Sequence, residues 1–162
     1  MRRAVALLLV MGVFTPVLMA RQAARGAGTP ARPSACALLT KELVTQVTPY
    51  DKQTLAGVLG VRPIEDPIGQ SGSACSYGGI TMQIDPFPFA TLEKQRTPAW
   101  AAVPGVGDAA YFRDNRGEWG ELYVRSDTHV LTIQMDVPTG KTAASIQSNT
   151  VALAKAILPK LK

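Results

Sequence analysis

Apolar spacing divides the chain into helical and extended pieces. Leu38, Leu39, Leu43 and Val47 recur four or five residues apart, which predicts a first helix over residues 34–47. Thr40 reads as its cap, with Glu42 near the positive end. Thr48-Pro49-Tyr50 interrupts that pattern, and residues 51–59 predict a short second helix stopped by Gly60. Residues 62–73 are rich in Pro, Gly, Ser and charge, and read as a loop.

Period-two alternation then takes over. Residues 74–77 and 80–85 flank Gly78-Gly79, a hairpin-turn dipeptide. Ile80, Met82 and Ile84 alternate with Thr81, Gln83 and Asp85, so one face of that strand is apolar. Pro86 and Pro88 end it, residues 89–96 predict a short helix, and residues 98–108 a loop. The strongest strand signals are 109–113, 118–125 and 128–137, separated by Asp114-Asn115-Arg116-Gly117 and by Ser126-Asp127. A two-residue turn at Ser126-Asp127 pairs Leu122 with Leu131, Tyr123 with Val130, Val124 with His129 and Trp119 with Gln134. The last helix runs over 142–161, with Ile146, Leu153, Ile157 and Leu161 as its buried stripe and Pro159 loosening its last turn. The fold class is α+β: an antiparallel sheet of about five strands, a hairpin plus a three-stranded meander, packed by N- and C-terminal helices.

The N-terminus changes the picture of where this domain works. Arg2-Arg3 followed by an uncharged apolar run reads as a signal peptide over residues 1–20, with an uncleaved anchor as the alternative. Residues 21–33 contain no large apolar side chain and read as a flexible leader. A single domain then occupies 34–162, in a periplasmic or secreted protein with no transmembrane segment once the signal is removed.

The formal net charge of +5 has to be divided the same way. Five of the 17 basic residues (Arg2, Arg3, Arg21, Arg25 and Arg32) and none of the 12 acids precede residue 34, so the domain is formally neutral. No basic stripe remains, and no nucleic-acid partner is expected.

Cys36 and Cys75 are the two cysteines. In an oxidising compartment an even pair reads most simply as a disulfide, with a thiol nucleophile or a metal pair as rival readings. One histidine and no close Cys–Cys spacing speak against zinc. Cys36-Ala37-Leu38-Leu39-Thr40, Cys75-Ser76-Tyr77 and Pro104-Gly105-Val106-Gly107-Asp108-Ala109-Ala110-Tyr111, followed by a terminal helix, resemble a group of small exported bacterial proteins of unknown function. These are similar to actinobacterial cell-envelope lipoproteins that share the Cys-Ala-Leu-Leu-Thr opening. The resemblance implies a paired Cys36 and Cys75 and supplies no established catalytic residues to carry over. Those relatives often carry a lipobox cysteine, and this chain has none at the end of its apolar run.

Candidate chemistry is sparse. Gly140-Lys141-Thr142 lies between a strand and a helix, but a phosphate loop needs Gly where Met135 stands, so the segment reads as a turn with a Thr cap. His129 reads as a strand-end residue at the rim of the sheet, with no Gly-x-Ser-x-Gly elbow to serve. Asp108, Asp114, Glu118 and Glu121 are close in sequence and read as solvated charges, or alternatively as the carboxylates of a hydrolase. The candidate binding face is the row Trp119, Glu121, Tyr123 and Arg125, joined by Gln134 from the next strand. A helix or the 62–73 loop lying over those aromatics is the alternative. No catalytic residue, metal site or cofactor is assigned. The expected function is a non-enzymatic binding or accessory domain of the cell envelope, for a small molecule, a cell-wall component or an envelope protein. The alternatives are a carboxylate-dependent hydrolase and a purely structural envelope protein.

Overall fold

The computed structural model describes residues 33–161 except 49, 61 and 70, and the side chains of 52–54 are also left undescribed. The signal-peptide expectation, and the leader up to residue 32, lie outside the described residues.

The N-terminal segment forms two helices where one was expected, α1 (Ala35–Leu38) and α2 (Lys41–Val47). Thr40 is the reason. It adopts an extended conformation and its hydroxyl accepts a hydrogen bond from the Leu43 N–H, which starts a new helix. Ser34 does the same for α1 through the Ala37 N–H. Leu39 and Val44 are fully buried, whereas Leu38, Leu43 and Val47 only flank the core. Helix α3 (Lys52–Gly60) follows.

Seven strands form one antiparallel sheet, two more than expected. They are β1 (Ile64–Ile68), β2 (Gly72–Tyr77), β3 (Ile80–Ile84), β4 (Ala101–Ala102), β5 (Ala109–Asn115), β6 (Trp119–Ser126) and β7 (His129–Asp136). Their spatial order is β1-β2-β3-β7-β6-β5-β4. The two added strands are the edges, and both arise in segments that read as loops. Pro67 is tolerated in β1 because an edge strand can turn a missing N–H outward, and Glu65 and Asp66 discourage further pairing.

The Gly78-Gly79 turn is as expected, with Tyr77 opposite Ile80. The β6–β7 turn is displaced. Ser126 pairs with His129, so the turn residues are Asp127 and Thr128. Asp127 takes φ 54, and its N–H donates to Asp108 Oδ2 at 2.7 Å. Leu131 therefore faces Val124, Thr132 faces Tyr123, Gln134 faces Glu121, and Trp119 faces Asp136. The partner shifts by two residues, an even number, so every side chain keeps its expected face.

One face of the sheet is covered by the terminal helices. Ile80, Met82, Leu122, Leu131 and Ile133 pack with Leu39 and Val44 and with Ile146, Leu153 and Ile157 of α5 (Ala143–Ile157). Gly120 is required there, because a Cβ would sit 2.5 Å from the Phe112 ring. A 3-10 turn over Leu158–Lys160 contains Pro159, in the loosened last turn. Thr142 stands at the N-cap of α5 but makes no side-chain cap bond. Its carbonyl instead accepts from the Ser145 N–H and hydroxyl.

Helix α4 (Phe89–Gln95) belongs to the other face. Its Phe89 and Leu92 form a separate small core with Tyr123 and Val130, and Phe89 stacks on Tyr111 at 6.0 Å. Cys36 and Cys75 are joined in a disulfide that ties α1 to β2. No described helix is long and apolar enough to cross a membrane.

Candidate functional site

The sheet alternation places Trp119, Glu121, Tyr123, Arg125 and Gln134 on the face that α4 partly covers. The structure divides this row into two ends with different chemistry.

At the Trp119 end Arg113, Glu121 and Tyr123 bond to one another, while Arg113 Nε and the Thr132 hydroxyl are buried with no hydrogen-bond partner among the described residues. β5 sets Arg113 opposite Glu121, and Arg113 Nη2 lies 2.7 Å from Glu121 Oε2. The Tyr123 hydroxyl donates to the same carboxylate oxygen at 2.5 Å. The Arg113 guanidinium lies 4.8 Å from the Trp119 ring centre and 5.4 Å from that of Trp100. Trp100 stacks flat on Tyr123, with ring centres 4.9 Å apart. Tyr123 is thereby a core residue, 5% exposed. Its cover comes from Trp100 and α4, while the 62–73 segment expected as the alternative cover forms β1 and leads into β2. Trp119 and Gln134 remain half-buried.

Three of the four carboxylates of the hydrolase alternative have structural work, and Glu118 is exposed. Glu121 is held by Arg113 and Tyr123, Asp108 accepts the Asp127 N–H, and Asp114 accepts the Gly117 N–H at 2.8 Å.

Two phenols here resist ionisation. Burial is the main cause at Tyr123, reinforced by its hydrogen bond to Glu121 and by that residue's charge. Burial also pushes Tyr50 up to about 12, with the charge of Asp136 as the lesser cause. The folded state holds both protons more tightly than the unfolded chain, whose tyrosines titrate near 10.0. This contribution to stability is complete below pH 10 and is lost as the pH climbs through the raised folded values. Urea melts at pH 8 and pH 11.5 should show a fall that Tyr50→Phe and Tyr123→Phe each reduce, relative to their own values at pH 8.

At the Arg125 end the chemistry is open. β3 stops at Ile84, and Asp85 takes φ 50 before Pro86 and Pro88 lead into α4. Asp85 is anchored across to β7. Its Oδ1 accepts the Val130 N–H at 2.8 Å, and its Oδ2 lies 2.7 Å from His129 Nδ1. A carboxylate only accepts, so Nδ1 carries the proton of this bond. His129 begins β7 at the sheet rim, as expected, but with an acidic partner 44 residues away that the sequence reading did not identify. The residues missed are Asp85, Phe87 and Phe89; the signal available was an Asp at the end of a strand followed by Pro-Phe-Pro-Phe.

A cleft of about 540 Å³ opens here. Ile68, Gly69 and Ser71, the 85–89 segment and the β6–β7 turn form its walls. Ile68, Phe87, Phe89 and Val130 give it apolar surface, and Arg125, His129 and Asp85 bring polar groups to it. The Arg125 guanidinium lies 5.3 Å from the Phe89 ring centre. It makes no hydrogen bond or ion pair to a described side chain.

Comparison of this chain with protein-family models, curated proteins and solved structures finds no match.

Proposed function

We propose that this chain is an exported envelope domain that binds a small molecule in the cleft beside Arg125, and does so without catalysing a reaction. The observation that carries this reading is Arg125 itself. It is a half-buried cation 5.3 Å from the Phe89 ring centre and without an acidic partner among the described residues, in a cleft of about 540 Å³ with mixed apolar and polar walls. Ligand sites commonly combine such walls, in this range of volume, with a few convergent polar groups. Export is supported by the Arg2-Arg3 and apolar-run pattern and by the Cys36–Cys75 bridge, which an oxidising compartment maintains. The resemblance in the Cys36–Thr40 and Cys75–Tyr77 motifs supports an envelope setting.

The hydrolase reading has less support, because Asp108, Asp114 and Glu121 are each committed to a turn or an ion pair. Of the expected binding row, Arg125 belongs to the cleft, Trp119 and Gln134 lie on the neighbouring surface, and Glu121 and Tyr123 support that surface from below.

A fragment screen by amide NMR on isotope-labelled protein tests the reading. Hits should move the backbone amides of Arg125, Thr128 and Val130 together. Hits confined to the neighbourhood of Trp119 and Gln134 would relocate the site, and a screen without hits would remove it.

A further inference from the structure

We infer that the cleft selects monoanionic amphipathic ligands, an aryl or alkyl carboxylate, with Arg125 as the anchor for the carboxylate; this rests on the cleft-binding reading above.

The charge arrangement carries the argument. Four ionisable side chains line the cleft: Arg125, His129, Asp85 and Asp127. Asp85 is spent locally, one oxygen on the Val130 N–H and the other on His129. Asp127 sits in the exposed β6–β7 turn, at the solvent side. Arg125 is left as the one lining cation without a carboxylate partner among the described residues. The guanidinium lies 5.3 Å from the Phe89 ring centre, and no described side chain bonds its N–H edge. That edge is a planar fork matched to two carboxylate oxygens.

The rest of the cleft describes the remainder of the ligand. Ile68, Pro86, Phe87, Pro88 and Val130 offer apolar surface with no further cation. A neutral ligand would leave the guanidinium edge unmatched. A dianion would bring a second negative charge into a cleft that Asp85 and Asp127 already line, and like charges repel. One negative group on an apolar body satisfies both constraints.

The test uses three soluble probes that share one apolar body: 4-phenylbutyrate, 4-phenylbutan-1-ol and 4-phenylbutylamine. Each is titrated against the disulfide-bonded protein and against Arg125→Gln and Arg125→Lys. Affinity is read from the Val130 amide shift and by calorimetry, and folding is checked by circular dichroism. The acid should bind about 10- to 100-fold more tightly than the alcohol, the worth of one or two charge-assisted hydrogen bonds. Arg125→Gln should abolish that preference, bringing the affinities of acid and alcohol together. Arg125→Lys should keep part of it, because the charge remains and the fork is lost. If Arg125→Gln fails to fold, salt decides on the wild-type protein: raising ionic strength must narrow the gap between acid and alcohol. Equal binding of acid and alcohol at the Val130 amide overturns the carboxylate assignment and leaves the cleft reading intact. An acid preference that survives in folded Arg125→Gln overturns the role of Arg125. Failure of all three probes to move the Val130 amide overturns both readings.

Discussion

Reduction of the Cys36–Cys75 disulfide will lower the unfolding free energy by about 2–4 kcal/mol. The two residues are 39 apart in sequence, and opening a loop of that size releases about 4 kcal/mol of chain entropy to the unfolded state. Contacts that persist after reduction set the lower bound. Ser73, two residues before Cys75 on β2, accepts the Ala35 N–H and donates to the Pro33 carbonyl. These bonds keep α1 near the sheet when the covalent tie is gone. They cannot replace it, because α1 has four residues and is too short to hold its own helical structure. The expected reading is a fall of roughly 1–3 M in the urea midpoint on adding reductant, with the same fall in a Cys36→Ala/Cys75→Ala variant. Thiol titration of oxidised, denatured protein should find no free thiol. Two free thiols there, or an unchanged midpoint after complete reduction, would overturn the prediction.

What the sequence made legible follows from the range of the interactions involved. The Gly78-Gly79 hairpin and α5 were readable because each rests on local period and local turn chemistry. The alternation of β5, β6 and β7 assigned their faces correctly even though the β6–β7 turn was placed one residue early, because both registers keep the same parity. The edge strands were not readable. β1 contains Pro67 and pairs along one edge with β2, and four of its five residues are exposed, Ile64 included, so its side chains carry no burial pattern. The division of the first helix depended on Thr40 starting a new helix where the apolar spacing ran on through it.

The candidate site was half legible for the same reason. Alternation put Trp119, Glu121, Tyr123 and Arg125 on one side, but nothing local to β6 says what covers them. Trp100 arrives from a segment that read as a loop, and Phe89 from a helix that could have packed on either face. The Asp85–His129 pair joins residues 44 apart and exists only because β3 and β7 are neighbours in the sheet. That adjacency is a property of the strand order, and no short-range pattern encodes it. It places His129 and Asp85 beside Arg125, which is what turns one end of the predicted row into a cleft.

Truncating Tyr123 will separate the structural part of this row from its surface part. Tyr123→Ala should cost about 3–5 kcal/mol, the usual loss for a large aromatic removed from a core. The side chain is 5% exposed, stacks on Trp100 and donates to Glu121, so its removal leaves a cavity and takes one hydrogen bond from a partly buried carboxylate. Tyr123→Phe keeps the stack and removes only the hydroxyl, for about 1 kcal/mol, since Arg113 still pairs with Glu121. Trp119→Ala should cost about 1 kcal/mol. Trp119 is half-buried, and its described ring contact is the guanidinium of Arg113, which also rests against Trp100. Urea melts of the three variants give the order directly. A Trp119→Ala loss equal to that of Tyr123→Ala would make the Trp119 end part of the core and leave Arg125 as the one member of the row free to meet a ligand. The expected order instead keeps Trp119 as a surface aromatic that can be removed with the fold intact, so any effect of that variant on binding can be assigned to contact and not to unfolding.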